Sequence, residues 1–288
     1  MIYIDKTEMG EGDEITQYYL DRKCRNRDTG RYANIRYADE VNDGIRFKRS
    51  VGQRMCNILL QEQNNYCCYC LRKIGNEPLG SATIEHIIPK SCPPDDLPNY
   101  RTAPNLSTAD VILTGDFERA AVQTTPPYPH TVAYRNFVAS CNGTFPNNRE
   151  GSTGGHQCCN NKRGNEYVFP VFFLPAIQGL VKYEEDGTIL PIAGYDHEED
   201  IANLIDKAQL SCTSLNEIRH LWYELRNCDI NTITSCEDET ARYDLFISQL
   251  SDSEKDKDLI AQYAKDEYWD TLMLYDKFHE IMRNQHPA

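Results

Sequence analysis

Cys67 and Cys70 flank two residues in Tyr66-Cys-Cys-Tyr-Cys, a spacing that lets two thiolates on one tight turn fill two corners of a metal tetrahedron. Further corners are available at Cys141 and at the pair Cys158-Cys159, with His156 close by. The reading is a closed four-thiolate zinc site of Cys67, Cys70, Cys141 and Cys159, with Cys158 and His156 as alternative ligands. A Gly-rich excursion after Cys141 takes the place of the usual two-residue gap. A redox Cys-x-x-Cys is disfavoured because no thioredoxin-like βαβ pattern surrounds it. A zinc ion closed by four protein ligands has no position for substrate, so it holds structure and does no chemistry. Between the two halves lies Thr83-Ile-Glu85-His86-Ile-Ile-Pro89-Lys90, which offers a carboxylate and an imidazole side by side. A Glu-His pair on a strand is by itself ordinary. Its place between a zinc knuckle and the runs Tyr134-Arg-Asn136 and Cys159-Asn160-Asn161-Lys162-Arg163-Gly164 makes it a candidate site.

The elements that must position these groups are legible in outline. Apolar Val51, Met55, Ile58 and Leu59 recur at helical spacing and predict a helix over 46–64, ending just before the first cysteines. Residues 82–88 read as a short strand stopped by Pro89. Residues 91–130 and 142–156, rich in Pro, Thr, Asp and Gly, read as inserted loops, and residues 1–44 as an irregular arm. Residues 167–174 predict a strand, and 180–192 a hairpin with Asp186-Gly187 in a two-residue turn. Beyond Asp196 the pattern is helical, with capping boxes at Ser214–Glu217 and Ser251–Glu254 and one long final helix over about 254–283. The fold class is α+β, with a mainly helical C-terminal region.

Composition sets the outer bounds. The chain has 288 residues, 40% hydrophobic and 26% charged, enough for one or two domains and unlike a disordered or collagenous chain. The longest apolar stretch, residues 167–177 with two prolines, is shorter than the ~20 residues of a membrane helix. No basic-then-apolar leader opens the sequence, so the expected compartment is the cytoplasm, with no membrane partner. Twelve cysteines are many for a reducing compartment, and the short spacings among them favour metal over disulfides. The net charge of −14 is uneven: residues 1–166 carry 20 basic and 20 acidic groups, residues 167–288 carry 10 and 24. Within 22–73, 12 basic groups face 5 acidic ones, so the front half can still meet a phosphate backbone.

In residues 50–226 these motifs resemble the HNH endonucleases, and more narrowly PtuB, the HNH subunit of Septu-type and retron-associated anti-phage systems. The resemblance rests on 55–63 leading into 66–74, then 84–91, 136–143 and 159–164, with the Asp-Gly hairpin and 204–226 fitting the family's C-terminal part. It implies a treble-clef-like ββα-metal finger within an HNH nuclease domain at 45–166, followed by a hairpin and an acidic helical region at 167–288. It implies cleavage of nucleic-acid phosphodiester bonds, with His86 as general base, Asn136 holding the loop that orients it, and Glu85 and Asn160 binding a catalytic Mg2+. Asn161 is the alternative ligand, because the doubled Cys158-Cys159-Asn160-Asn161 leaves the register open by one residue. Lys90, Lys162 and Arg163 become candidates for phosphate contact. The family further implies an ATPase partner of the PtuA type, with DNA or RNA (transfer RNA included) as substrate. No nucleotide-binding Gly-x-x-x-x-Gly-Lys-[Ser/Thr] run is present in the chain itself. His86 and Asn136 lie 50 positions apart, longer than a compact finger, which makes 91–130 an excursion. A zinc-braced adaptor that binds without cutting is the competing class, for which Glu85, His86 and Asn136 would have no use.

Overall fold

Ile4, Ile15 and Leu20 are each at most 1% exposed, so residues 1–6 and 10–24, part of the segment expected as an irregular arm, pack into the core. The computed structural model describes residues 1–6, 10–33, 35, 51–75, 82–92, 95–119, 122–145, 157–250 and 253–287. His156, most of the second inserted loop and Ser251 of the second capping box lie outside them. Helix α1 (Gly10–Tyr19) runs into a π-helical turn at Leu20–Cys24 and packs against α2 (Val51–Glu62), the helix that the apolar spacing predicts. Two contacts seat the segment. Lys6 Nζ donates to Glu62 Oε2 at 2.8 Å, both side chains buried, and Gly12 abuts the ring of Tyr134. A mainly polar sequence gave little hint of this, because only a few apolar residues anchor it.

After α2, strand β1 (Ala82–His86) pairs antiparallel with a later strand at Phe137–Cys141, in the register Ala82 to Cys141 and His86 to Phe137. The chain between them is not a bare excursion. It contains α3 (Leu97–Tyr100), β2 (Val111–Ile112), α4 (Thr114–Arg119) and β3 (Tyr128–Pro129), with β2 and β3 parallel, and it buries Leu106, Val111 and Phe117 completely. The Phe137–Cys141 strand is β4, and every one of its residues is buried. Gln63, just past α2, serves as a surrogate strand neighbour: its amide donates to Ala139 O at 2.8 Å and accepts from Ala139 N at 2.7 Å. Short helix α5 (Asn160–Arg163) follows.

Residues 167–174 do not form the predicted strand. Pro170 and Pro175 remove backbone donors, and a 3-10 turn at Val171–Phe173 packs into the core, tied to the N-terminal segment through Ile4 N to Phe172 O at 2.8 Å. The hairpin does form, as β5 (Val181–Tyr183) and β6 (Ile189–Pro191). Its loop is one residue longer than the Asp-Gly pair suggests, since Glu184 N bonds Thr188 O and Gly187 takes φ 82°. Helices α6 (Glu198–Lys207), α7 (Thr213–Glu224), α8 (Ile230–Thr234) and α9 (Glu239–Gln249) come next. Cys212 occupies the cap position of α7 with no side-chain cap bond, which puts Ser214 inside the first turn and removes the expected capping box.

The single final helix is three: α10 (Ser253–Tyr263), α11 (Asp266–Met273) and α12 (Lys277–Gln285). Lys265 is extended, at φ −68° and ψ 146°, and breaks the run. The breaks let Trp269, Leu272, Tyr275, Phe278 and Met282 all turn inward, which one straight rod could not do. The molecule is α+β, about 48% helical with small sheets. Among the described residues no helix is long and apolar enough to cross a membrane.

Gly12 gives a direct test of how α1 is seated. A Cβ there would overlap the Tyr134 ring, at ~1–3 kcal/mol for overpacking, against ~1 kcal/mol of helix propensity gained. Gly12→Ala is expected to lower stability in chemical denaturation. An unchanged or higher midpoint would show that α1 does not sit on Tyr134.

Candidate functional site

The turn after α2 is built to present sulfur. Cys67 N donates to Arg72 O at 2.8 Å, and Leu71, at φ 63°, reverses the chain, so Cys67 and Cys70 face the same way. The second half is assembled from distant segments. Gly143, at φ 66°, accepts a backbone bond from Cys158 N at 3.0 Å, and a Cβ at 143 would collide with the Cys158 carbonyl. This close approach lays Cys159 beside Cys141 across a long gap in sequence.

The sulfurs of Cys67, Cys70, Cys141 and Cys159 all lie within 4.8 Å of one another, and all four residues are buried. Cys67 to Cys159 is 3.9 Å and Cys70 to Cys141 is 3.7 Å. A tetrahedral zinc with bonds of ~2.3 Å sets its sulfurs ~3.8 Å apart, close to these two separations, so the cluster could hold that ion. Cys158 Sγ is only 3.3 Å from Cys159 Sγ, a hydrogen-bonded neighbour too close to be a second ligand of one tetrahedral ion. Burial pushes the Cys67 thiol up, but thiols donating from Cys141, Cys159 and Cys68 overrule it and hold it at about 5. Cys70 is held well below its ordinary value in the same way. Gly143 N also donates to Cys141 Sγ at 3.3 Å.

The pair at the end of β1 divides between two environments, as the pleat requires for neighbours in a strand. His86 is half-buried, edge-on to Phe137 at 4.7 Å between ring centres. Its Nε2 lies 3.1 Å from the carbonyl of Thr131, which can only accept. The proton therefore sits on Nε2 and the lone pair on Nδ1. Burial, with the positive charges of Lys90 and Arg163 adding to it, depresses the imidazole to about 3 and keeps it neutral. Glu85 is buried elsewhere, in an ion pair with Arg163, and Tyr69 donates to the same oxygen, Oε1, at 3.2 Å.

Asn136 is wholly buried and fastens the turn beside His86. Its Oδ1 accepts from Ile88 N at 2.7 Å, and its Nδ2 donates to Ile88 O at 2.9 Å and His130 O at 2.7 Å. Asn160 is half-buried at the start of α5, and Asn161 is exposed. Lys90 is exposed and Lys162 half-buried, so both can reach a polyanion. Arg163 cannot. It is 1% exposed, with Nη1 donating to Glu85 and to His86 O at 2.8 Å and Nη2 to Ile87 O, which removes it from the phosphate contacts. Sequence reasoning assigned no role to Tyr69, although its place between Cys67 and Cys70 fixes it to the metal turn, or to Thr131, which only the folded chain brings to His86.

A scan against protein-family models finds none that matches the chain, and no curated protein matches it significantly.

The register of the last ligand can be checked by elemental analysis. One zinc per chain is expected in the parent and in Cys158→Ser, whereas Cys159→Ser should lose it. Loss should cost several kcal/mol, lowering the melting midpoint by roughly 10 °C. Zinc lost from Cys158→Ser and kept by Cys159→Ser would reverse the assignment.

Proposed function

We propose that this chain is a metal-dependent endonuclease of the HNH kind, hydrolysing phosphodiester bonds through His86. One observation carries the reading: a neutral histidine closes β1 with its lone pair fixed on Nδ1, next to a turn that Asn136 braces. The order antiparallel hairpin then short helix, with four cysteines gathered behind it, supports a ββα-metal finger of the treble-clef type.

In this reading the Nδ1 lone pair of His86 takes a proton from water as the water oxygen bonds to phosphorus, and the P–O3′ bond breaks. The Thr131 carbonyl holds the productive tautomer, and Asn136 fixes the backbone that carries it. Burial keeps the His86 ring neutral at neutral pH and also makes it a weaker base than a free imidazole, so the reading needs the bound substrate or metal to raise the acidity of the attacking water. Glu85 Oε2, which takes no part in the bonds to Arg163 and Tyr69, and the amide oxygen of Asn160 are hard oxygen donors suited to a divalent ion. Asn160 and Arg163 are three apart on α5 and share a face, which supports placing Asn160 on the Glu85 side. Bound there, Mg2+ would neutralise charge on the phosphoryl oxygens and the departing 3′ oxygen. Lys90 and Lys162 would hold the flanking phosphates. We assign the chain the effector role beside an ATPase partner in anti-phage defence, docked through the acidic C-terminal half, on the strength of the family resemblance.

The test is cleavage by the purified zinc-loaded protein of supercoiled plasmid DNA and, separately, transfer RNA, with Mg2+ and with chelator. Cleavage is expected only with the metal, and His86→Ala should reduce it roughly 100-fold or more. Full activity in His86→Ala would remove the histidine from the chemistry. Binding without cutting would make the chain a zinc-braced adaptor.

A further inference from the structure

Tyr69 and Arg163 come from opposite halves of the cysteine cluster yet meet at a single carboxylate oxygen. Tyr69 lies between Cys67 and Cys70; Arg163 lies four residues beyond Cys159, on α5. Both donate to Glu85 Oε1, Tyr69 at 3.2 Å and Arg163 through Nη1. Arg163 also binds the next two carbonyls of the chain, His86 O at 2.8 Å and Ile87 O, so one guanidinium grips three consecutive residues at the end of β1. Both of these hydrogen bonds go to Oε1 and not to Oε2. The Glu85 side chain is 6% exposed and that of Arg163 1%, so the grip is sheltered from water while the carboxylate keeps a narrow opening.

A carboxylate caught by one oxygen has lost its freedom to rotate. Its second oxygen is then aimed by the first, with the entropy of orienting it already spent in folding. Arg–carboxylate contacts of this kind are charge-assisted and geometrically demanding. Partners that orient a metal-ligating carboxylate in this way commonly change metal affinity by 10–100-fold when removed. We propose that Tyr69 and Arg163 are positioning residues that transmit the geometry of the four-cysteine site to Glu85, presenting its Oε2 to a hard divalent cation. This rests on the cation site in the nuclease reading and adds to it a physical link between the two metal sites: the sulfur cluster would act on the second through two hydrogen-bond donors.

The experiment is Mn2+ titration calorimetry on the full-length zinc-loaded chain, with zinc content and melting midpoint recorded for each variant. The parent is expected to bind Mn2+ at one site beyond its zinc, and Glu85→Gln to abolish it. Tyr69→Phe, which keeps the ring packed edge-on against Phe172 at 6.0 Å, should weaken Mn2+ binding about 10-fold at unchanged zinc content. Arg163→Lys should weaken it at least as much. If that variant loses zinc or melts early, Tyr69→Phe decides alone, because a merely structural tyrosine would leave Mn2+ affinity at the parental value. Parental affinity in a folded Tyr69→Phe overturns the proposal, as does a parent that binds no Mn2+. Weakened binding in the variants of a parent that cuts neither plasmid nor transfer RNA would uphold the positioning role and end the nuclease reading.

Discussion

Four buried cysteine sulfurs lie within 4.8 Å of one another, close enough that one metal ion could lie among them. Two of their separations, 3.9 and 3.7 Å, are close to the edges of a zinc tetrahedron, and the gathering of these sulfurs is the constraint on which the site depends. The four side chains come from three separate stretches: the turn after α2, the end of β4, and the start of α5. An ion at their centre would hold these elements at fixed separations. Two donors on the same turns then reach Glu85, so the cluster's geometry extends to the end of β1.

The second constraint is the pleat of β1. Neighbouring residues on a strand point to opposite sides, and Glu85 and His86 obey this: one faces Tyr69 and Arg163, the other Thr131 and Phe137. The ladder ends at His86, and the backbone of Ile87 and Ile88 turns onto Asn136. The inserted chain between β1 and β4 has a definite task here. It delivers the carbonyls of His130 and Thr131, which hold Asn136 and His86.

Buried polar side chains replace the sheet that this small hairpin lacks. Gln63 pairs with Ala139 as a strand neighbour would, Asn136 does the same for Ile88, and Arg219 spans from Leu210 O at 2.7 Å to Gly187 O at 3.2 Å in the C-terminal half. Each satisfies backbone groups that would otherwise be buried unpaired, at about 1–3 kcal/mol apiece. Rigidity around His86 therefore comes from amide and guanidinium side chains more than from ladder hydrogen bonds.

Local features were legible in the sequence. The cysteine spacing named the sulfur quartet, the apolar period of Val51, Met55, Ile58 and Leu59 named α2, and Asp186-Gly187 marked the hairpin. What failed had its cause elsewhere in the chain. Residues 1–6 and 10–24 are seated on the core by Lys6 with Glu62 and Gly12 against Tyr134. Apolar residues 167–174 lacked a strand to pair with, and the last helix broke where the core demanded inward-facing aromatics. Arg163 read as a phosphate contact because a charge carries no label of its partner until folding supplies one. The sequence alone determined which residue types recur at metal-binding spacing and which short segments are helix or hairpin, since those depend on neighbours a few positions away. Only the tertiary structure brought the Cys159 sulfur within 4.8 Å of the other three, gripped Glu85 between Tyr69 and Arg163, and set the Thr131 carbonyl against the His86 ring. Those outcomes depend on angles and distances between residues tens of positions apart, which packing of the whole chain fixes.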